Sequence, residues 1–465
     1  MNRYQKQMDE LRYTEQGKRR LAQALLQARQ PRRVWRKGRT LAVGAAAALV
    51  LGTAALAASP GLRELLSQQL GGFEPLALVE DGQTVTDQGI EMRVVSAITD
   101  GMATEIYVEA RDLQGDRLVD DAIDVSGLIR QPQAEADAKE RAEKGKVSSW
   151  VIRQECVGYD PETKTALLRF GRYNHEQTES PDGQEELNLQ IFSLLPRNYQ
   201  AQADLPQGLL TEQTRKSRKL ETGETVLEPN QTPAELENPW ISLSSLGFDE
   251  QGKLHLQLEL PAQANQNNTV ILATVYSKKA ETLDMNKDED IEEANRLFRA
   301  YNGDSMEKVL FTQDGKLYQD ICFSATVEDL DDLILDAVYG TVTMAEPIEG
   351  SWELPATIQR QQKTAIQVDQ KVDGALVQDL ILSPLSLYIT GNGHTYSRNP
   401  AVVTLKDGSQ IKGEGRGAFV SPELSTCRWQ FEQPVDWEQV AAVEINGWKI
   451  PIENGQAGSV EKPAE

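Results

Sequence analysis

The stretch "QTVTDQGIEMRVVSAITDGMATEIYVEARD", residues 83–112, decides how the bulk of this chain folds. It reads as two extended runs around a turn at Asp100-Gly101. Ile106, Val108 and Ala110 alternate with polar residues, the period of a strand with one buried face. The same alternation recurs downstream. "ELNLQIF" (186–192) sets Leu187, Leu189 and Ile191 on one face, and "LHLQLEL" (254–260) alternates four leucines without a break. "KVLFTQDGKLYQDICFSA" (308–325) predicts a hairpin around Asp314-Gly315. Short strands with frequent turns predict a mainly β body of immunoglobulin-like β-sandwiches in tandem.

At 465 residues the chain is too long for one ordinary core. The polar stretch 211–239 is poor in hydrophobic residues and reads as a linker or long loop. With a softer boundary near Arg360, the expected order is a juxtamembrane segment (63–78), a first sandwich (79–200), a linker (201–238), a second β domain (239–360), a third sandwich (361–454) and a tail (455–465). "QAEADAKERAEKGK" (133–146) interrupts the strands as a charged helix or insertion.

The first 62 residues are built differently. Residues 1–40 hold 12 Lys/Arg against 3 Asp/Glu, so with a chain total of −23 the remainder carries −32. So acidic a body repels nucleic acid. From Thr40 to Leu62 there are 23 residues without a charge, nine of them Ala, roughly 35 Å as a helix against a bilayer core of about 30 Å. A small-x-small site at Ala55-Leu56-Ala57 would make this run a cleaved signal peptide. The 39 residues ahead of it exceed the usual short basic leader, which favours a retained transmembrane helix. Arg32, Arg33, Arg36, Lys37 and Arg39 then place the N-terminus in the cytoplasm and the body outside, in a single-pass membrane protein.

The head, residues 1–39, has its own pattern. Tyr4, Met8 and Leu11 recur at helical spacing, as do Leu21, Leu25 and Ala28 before Pro31. Two readings fit: a basic amphipathic segment lying on the anionic inner leaflet, or a docking element whose stripe of Tyr4, Met8, Leu11, Leu21 and Leu25 grips a cytoplasmic protein.

Chemistry-bearing motifs are sparse. Cys156, Cys322 and Cys427 lie far apart with no CxxC, so three free thiols are expected over a Cys322–Cys427 bridge. His175, His255 and His394 stand alone, with no HExxH, Walker loop or GxSxG. Asp284, Asn286, Asp288 and Asp290 fit positions 1, 3, 5 and 7 of a calcium loop, but Glu289 stands where Gly is needed and Asn295 where a bidentate Glu belongs. A helix explains this segment better. Asp288, Glu289 and Asp290 open it, Ile291, Ala294, Leu297, Phe298 and Tyr301 form its apolar face, and Asn302-Gly303 ends it. His394 in "TGNGHTYSRN" (390–399) reads as a hairpin tip, and the spread tryptophans read as core residues. No catalytic residue, metal or cofactor is expected.

Several segments together resemble a family. They are the head beginning "MNRYQKQMDEL", the single Ala-rich span, the strand–turn–strand of 85–116, "GSWELPATI" (350–358), "LILSPLSLYITG" (380–391), "VVTLKDGSQ" (402–410) and "FEQPVDWEQVAAVEINGWKIPI" (431–452). In this order they resemble single-pass membrane proteins of Gram-positive bacteria that are encoded beside extracytoplasmic-function sigma factors. These are often labelled anti-sigma factors and carry an ectodomain of unknown function. The resemblance implies a membrane-anchored regulator whose head holds a sigma factor and whose ectodomain senses an extracellular signal. The residues themselves leave a second class open, a cell-surface binding or structural module with no cytoplasmic partner.

Overall fold

The structure, a computed structural model, describes residues 60–70 and 83–462, apart from 101–102, 133–134, 136–149, 175–183, 207, 284–287, 303–306, 362, 373, 393–399 and 421–424. The head, the run from Thr40 to Ser59, the charged stretch 136–146, His175, Asn286 and His394 lie outside them. Among the described residues the chain is mainly β, with antiparallel sheets throughout and few α-helical residues. None of its described helices is long and apolar enough to cross a membrane.

The first helix, α1, spans Pro60–Leu70. A first β unit follows, with β1 (Thr84–Asp87), β2 (Ile90–Thr99), β3 (Ala103–Asp112), β4 (Ile123–Arg130), β5 (Trp150–Asp160), β6 (Thr165–Asn174) and β7 (Gln184–Pro196). The 83–112 stretch forms β1, β2 and β3 of a five-stranded sheet in the order β1-β2-β3-β6-β5. Its alternation works as expected, because Ile106, Val108 and Ala110 point into one core with Met92, Val94 and Leu168. The facing sheet holds only β4 and β7 from this region. Its third strand, Ile348–Gln359, comes from far along the chain and pairs antiparallel with β7, from Ile348↔Leu194 to Gln359↔Gln184. That strand brings Trp352, fully buried, whose Nε1 donates to Ile90 O at 3.0 Å. The first unit is therefore discontinuous and does not end at residue 200.

What lies between is an inserted unit. It holds β8 (Asn198–Gln200), β9 (Ala203–Asp204), β10 (Ser217–Lys219), β11 (Thr225–Leu227), β12 (Ala234–Glu235), β13 (Ser242–Phe248), β14 (Lys253–Leu260), β15 (Val270–Ser277), helix α2 (Asp288–Asn302), β16 (Glu307–Gln313), β17 (Lys316–Thr326) and β18 (Leu333–Thr343). A five-stranded sheet, β12-β13-β14-β17-β16, faces a smaller one, β15-β18-β8, with β9 also paired to β18. The four leucines of β14 sit in the shared core. The expected hairpin is present as β16–β17, closed by two residues at positive φ, Asp314 (51°) and Gly315 (74°), with Gln313 opposite Lys316. The expected helix is also present. Leu297 is buried and Tyr301 packs on the core, whereas Phe298 is 45% exposed rather than part of the buried face.

The segment read as a linker, 201–238, is folded. It contributes β9 to β12 and straps the outer face of the larger sheet by backbone bonds to polar side chains. Leu227 N donates to Asp320 Oδ2 (3.0 Å), Gln231 N to Ser245 Oγ (3.0 Å) and Asn230 N to Ser244 Oγ (2.9 Å). Its low hydrophobic content misleads because the strap is held by hydrogen bonds, with Val226 and Leu227 alone fully buried among its strands.

Entry to and exit from the inserted unit run side by side. With the returning strand numbered β19 (Ile348–Gln359), the β7–β19 pair continues into β8–β18 through Met344 N donating to Arg197 O at 2.9 Å. The third unit comprises β20 (Thr364–Val372), β21 (Ala375–Leu382), β22 (Ser386–Asn392), β23 (Ala401–Leu405), β24 (Gln410–Val420), β25 (Ser425–Phe431), β26 (Val440–Ile445), β27 (Trp448–Glu453) and β28 (Gln456–Ala457). They form one nine-stranded sheet, β20-β21-β22-β25-β24-β23-β26-β27-β28, around a core that includes Trp429, Phe431 and Val443. The sheet curls until its two ends meet. There Gln370 of β20 donates from Nε2 to Gly458 O and accepts at Oε1 from Val460 N, both at 2.9 Å.

The discontinuity of the first unit is testable. Trp352→Ala removes the largest side chain of a core more than 150 residues upstream and leaves Ile90 O without its donor. It should destabilise the first unit by about 3–5 kcal/mol, seen as an early unfolding transition in urea. A shift below about 1 kcal/mol, the range of volume-conserving changes, would contradict the shared core.

Candidate functional site

The residues that matter most cluster where α1 meets the five-stranded sheet. Pro60 opens the helix at a position where its missing N–H costs nothing. Leu62, Leu66 and Leu70 then fall on one stripe, and each is at most 1% exposed. Leu62 closes the uncharged run of the sequence, yet its side chain is buried in the body. Of the run 40–62 expected as an anchor, Pro60, Gly61 and Leu62 belong to α1, and the residues before Pro60 lie outside the described ones.

The seat is the face of the sheet turned away from the first core. Val95, Ile98, Ala103, Tyr107, Leu167 and Tyr173 are buried there with the three leucines, and Leu385 of the third unit joins the same cluster. Two glycine contacts define the fit. Gly158 lies at a bulge in β5, and a Cβ there would come within 2.5 Å of Leu65 Cδ1. Gly61 brings the first turn of the helix against Asp160, where a Cβ would sit 3.4 Å from Oδ2. That carboxylate also accepts from Glu162 N and Thr163 Oγ1, both at 2.9 Å, and its negative charge suits a helix N-terminus.

Beside the helix seat the sheet carries a buried polar seam. Glu105 accepts four hydrogen bonds: at Oε1 from Arg169 Nη2 (2.5 Å), Tyr173 OH (2.7 Å) and Gln430 Nε2 (3.4 Å), and at Oε2 from Tyr107 OH (3.1 Å). Gln430 comes from the third unit. So does Arg428, whose guanidinium lies between Tyr173 of the first unit (5.4 Å) and Tyr388 of the third (5.2 Å). Burial, with the Glu105 charge close by, pushes both Tyr107 and Tyr173 up, so the phenols stay protonated and donate. With both Glu105 oxygens engaged, the cluster joins the surfaces of the first and third units.

A second buried cluster lies under the strap of the inserted unit. His255 Nδ1 meets Asp320 Oδ1 at 2.7 Å, and its Nε2 lies 3.5 Å from Asp249 Oδ2. Burial opposes the charge on His255, but the hydrogen bonds that its protonated ring donates to Asp320 and Cys322 outweigh it and push the imidazole up to about 10. All three cysteines are free, as expected. Burial raises Cys156 to about 12 and Cys427 to about 11, which leaves them protonated and slow to react. Among the described residues no group of three or more His, Cys, Asp or Glu is placed to hold a metal ion. A cleft of about 530 Å³ opens beside the crossing into the inserted unit, lined by Arg117, Arg197, Glu346 and Glu349 among others. Arg117 is held there by Asp112 at 2.6 Å.

The residues proposed from sequence for partner binding, Tyr4, Met8, Leu11, Leu21 and Leu25, lie outside the described residues. The helix seat was not foreseen, although a signal for it exists. In "VVSAIT" of β2 the alternation lapses and both faces are apolar or small, the mark of a strand covered on two sides.

No family model matches this chain, and no curated protein matches it. A solved structure described as the conserved domain protein from Bacillus anthracis is similar over 84% of this chain and 83% of its own, at 11% identity and a TM-score of 0.35.

Two outcomes test the buried charges. Arg169→Met strands Glu105 in a dry seam and should cost about 3–5 kcal/mol, whereas Glu105→Gln with Arg169→Met, which removes the stranded charge and keeps an acceptor for Tyr173, should recover part of it. A double variant no more stable than the single one would show that the charges themselves hold the seam. For His255 the folded pKa lies above the unfolded value, so its contribution is complete below about 6.5 and is lost as pH rises through about 10. Denaturant titrations from pH 6 to 10.5 should show this loss, and His255→Gln should flatten it. An equal slope in both proteins would place the titration elsewhere.

Proposed function

We propose that this protein is a membrane-anchored extracytoplasmic sensor or regulator. The run Thr40–Ser59 is its anchor, the N-terminus is cytoplasmic, and the β body, which we read as immunoglobulin-like sandwiches, faces outward. The head acts through Tyr4, Met8, Leu11, Leu21 and Leu25 on a cytoplasmic partner, a sigma factor, which makes the chain an anti-sigma factor. We assign the body a binding role and no catalytic one. The observation that carries this reading is α1. It follows directly on the run Thr40–Ser59, its leucine stripe is buried against the body, and Gly158 makes room for Leu65 beside it. On this reading α1 is where the body takes up the segment that precedes it, a tie for which a secreted binding module has no use.

The test is a tag on the N-terminus, followed by fractionation and external protease treatment of whole cells. The expected product is a full-length membrane species whose body alone is cut. A body that starts near Ala58 and is free of the membrane would overturn the anchor. Capture of a sigma factor by the tagged chain, lost on Leu11→Asp with Leu25→Asp, is expected for the regulator. An intact anchor with no sigma factor captured would leave a cell-surface binding module in its place.

A further inference from the structure

We infer that α1 is the clasp between the first and third β units, so that withdrawing it from its seat loosens one unit against the other. The inference rests on the sensor reading for its purpose and gives that reading a route from anchor to body.

The contacts run in one unbroken series. Leu62, Leu66 and Leu70 share a single apolar cluster with Tyr107 and Tyr173 of the first unit and Leu385 of the third. The hydroxyls of those same tyrosines hold Glu105, and the ring of Tyr173 carries Arg428. Arg428 and Gln430 belong to β25 of the third unit, and Arg428 stacks in turn on Tyr388 of the neighbouring β22. Removing the helix would strip the apolar cover from Tyr107 and Tyr173 and admit water to the Glu105–Arg169 pair. That pair is now 1–3% exposed, and its attraction falls steeply as the local dielectric rises. The helix and the seam between units therefore stand or fall together.

The helix also depends on its seat, as a switch requires. Its 11 residues are too few to hold a helix in water by themselves, so the docked form draws its stability from the seat. Its exposed positions, Arg63, Glu64 and Gln68, face away from the seat, so the leucine stripe supplies the docking. A displacement of the segment ahead of Pro60 acts first at the turn where Gly61 meets Asp160.

The experiment uses the full chain in detergent, with nitroxide labels on engineered cysteines. One sample carries a label at Gln68 on α1. A second carries a pair at Ser126 and Lys412, exposed positions of the first and third units. Two variants undock the helix by different means. Leu66→Lys puts a charge into the seat, and Gly158→Val leaves every leucine in place but fills the space of Leu65. In the parent the Gln68 label should be immobile and the Ser126–Lys412 distance distribution narrow. In both variants the helix label should become mobile and the distribution should broaden by about twofold. A mobile helix label beside an unchanged distribution would overturn the coupling. A label that stays immobile in both variants would overturn the clasp itself. Neither result depends on where the protein sits in the cell, so a failure of the anchor reading in fractionation would be seen separately.

Discussion

The five-stranded sheet of the first unit is covered on both faces, and the arrangement of the chain follows from that constraint. One face needs the sheet of β4, β7 and β19, which obliges the chain to return after the inserted unit. The other face needs α1 and Leu385, which ties both the helix ahead of the β body and the third unit to the same surface. Strand β3 shows the consequence directly, since nine of its ten residues are buried. Such a strand must satisfy polar groups on its second face, and Glu105 with its four donors does so.

The edges of these sheets are handled by one recurring device. A side-chain amide offers an acceptor and a donor with nearly the spacing of a backbone peptide, so it can occupy the place of a missing strand. Gln154 pairs with the N–H and C=O of Gly127 across the open side of the first unit. Gln231 does the same for Lys216 in the strap, with both bonds at 2.8 Å. Asn302, the last residue of α2, pairs with both groups of Val275 on the edge strand β15. Gln370 closes the nine-stranded sheet. Each of these contacts blunts an edge that would otherwise be a template for another chain.

Much of this was legible in the residues. Alternation located the strands around 83–112, 186–192 and 254–260, because a half-buried strand leaves a period of two whatever it pairs with. Asp314-Gly315 announced its hairpin, since only residues tolerant of positive φ close a two-residue turn of that hand. Acidic residues at 288–290 announced the start of α2. The linker was misread because a segment held by polar bonds has the composition of a loop. Phe298 was misplaced because helical period gives the spacing of a stripe, not how far the neighbouring sheet reaches round it.

Local physics in the sequence thus determined the elements: a basic head, one long uncharged run, the helix of 288–302 and a β body with its turns. Tertiary structure alone decided which strands share a core. Strand pairing is a contact between distant residues, and nothing in "GSWELPATI" says that Trp352 will lie on Ile90. It also decided that the second face of β3 is a seat and not a solvated surface. Whether an outward Tyr107 or Tyr173 meets water or leucine depends on where a remote helix docks, and the room left at Gly158 lets Leu65 of that helix approach.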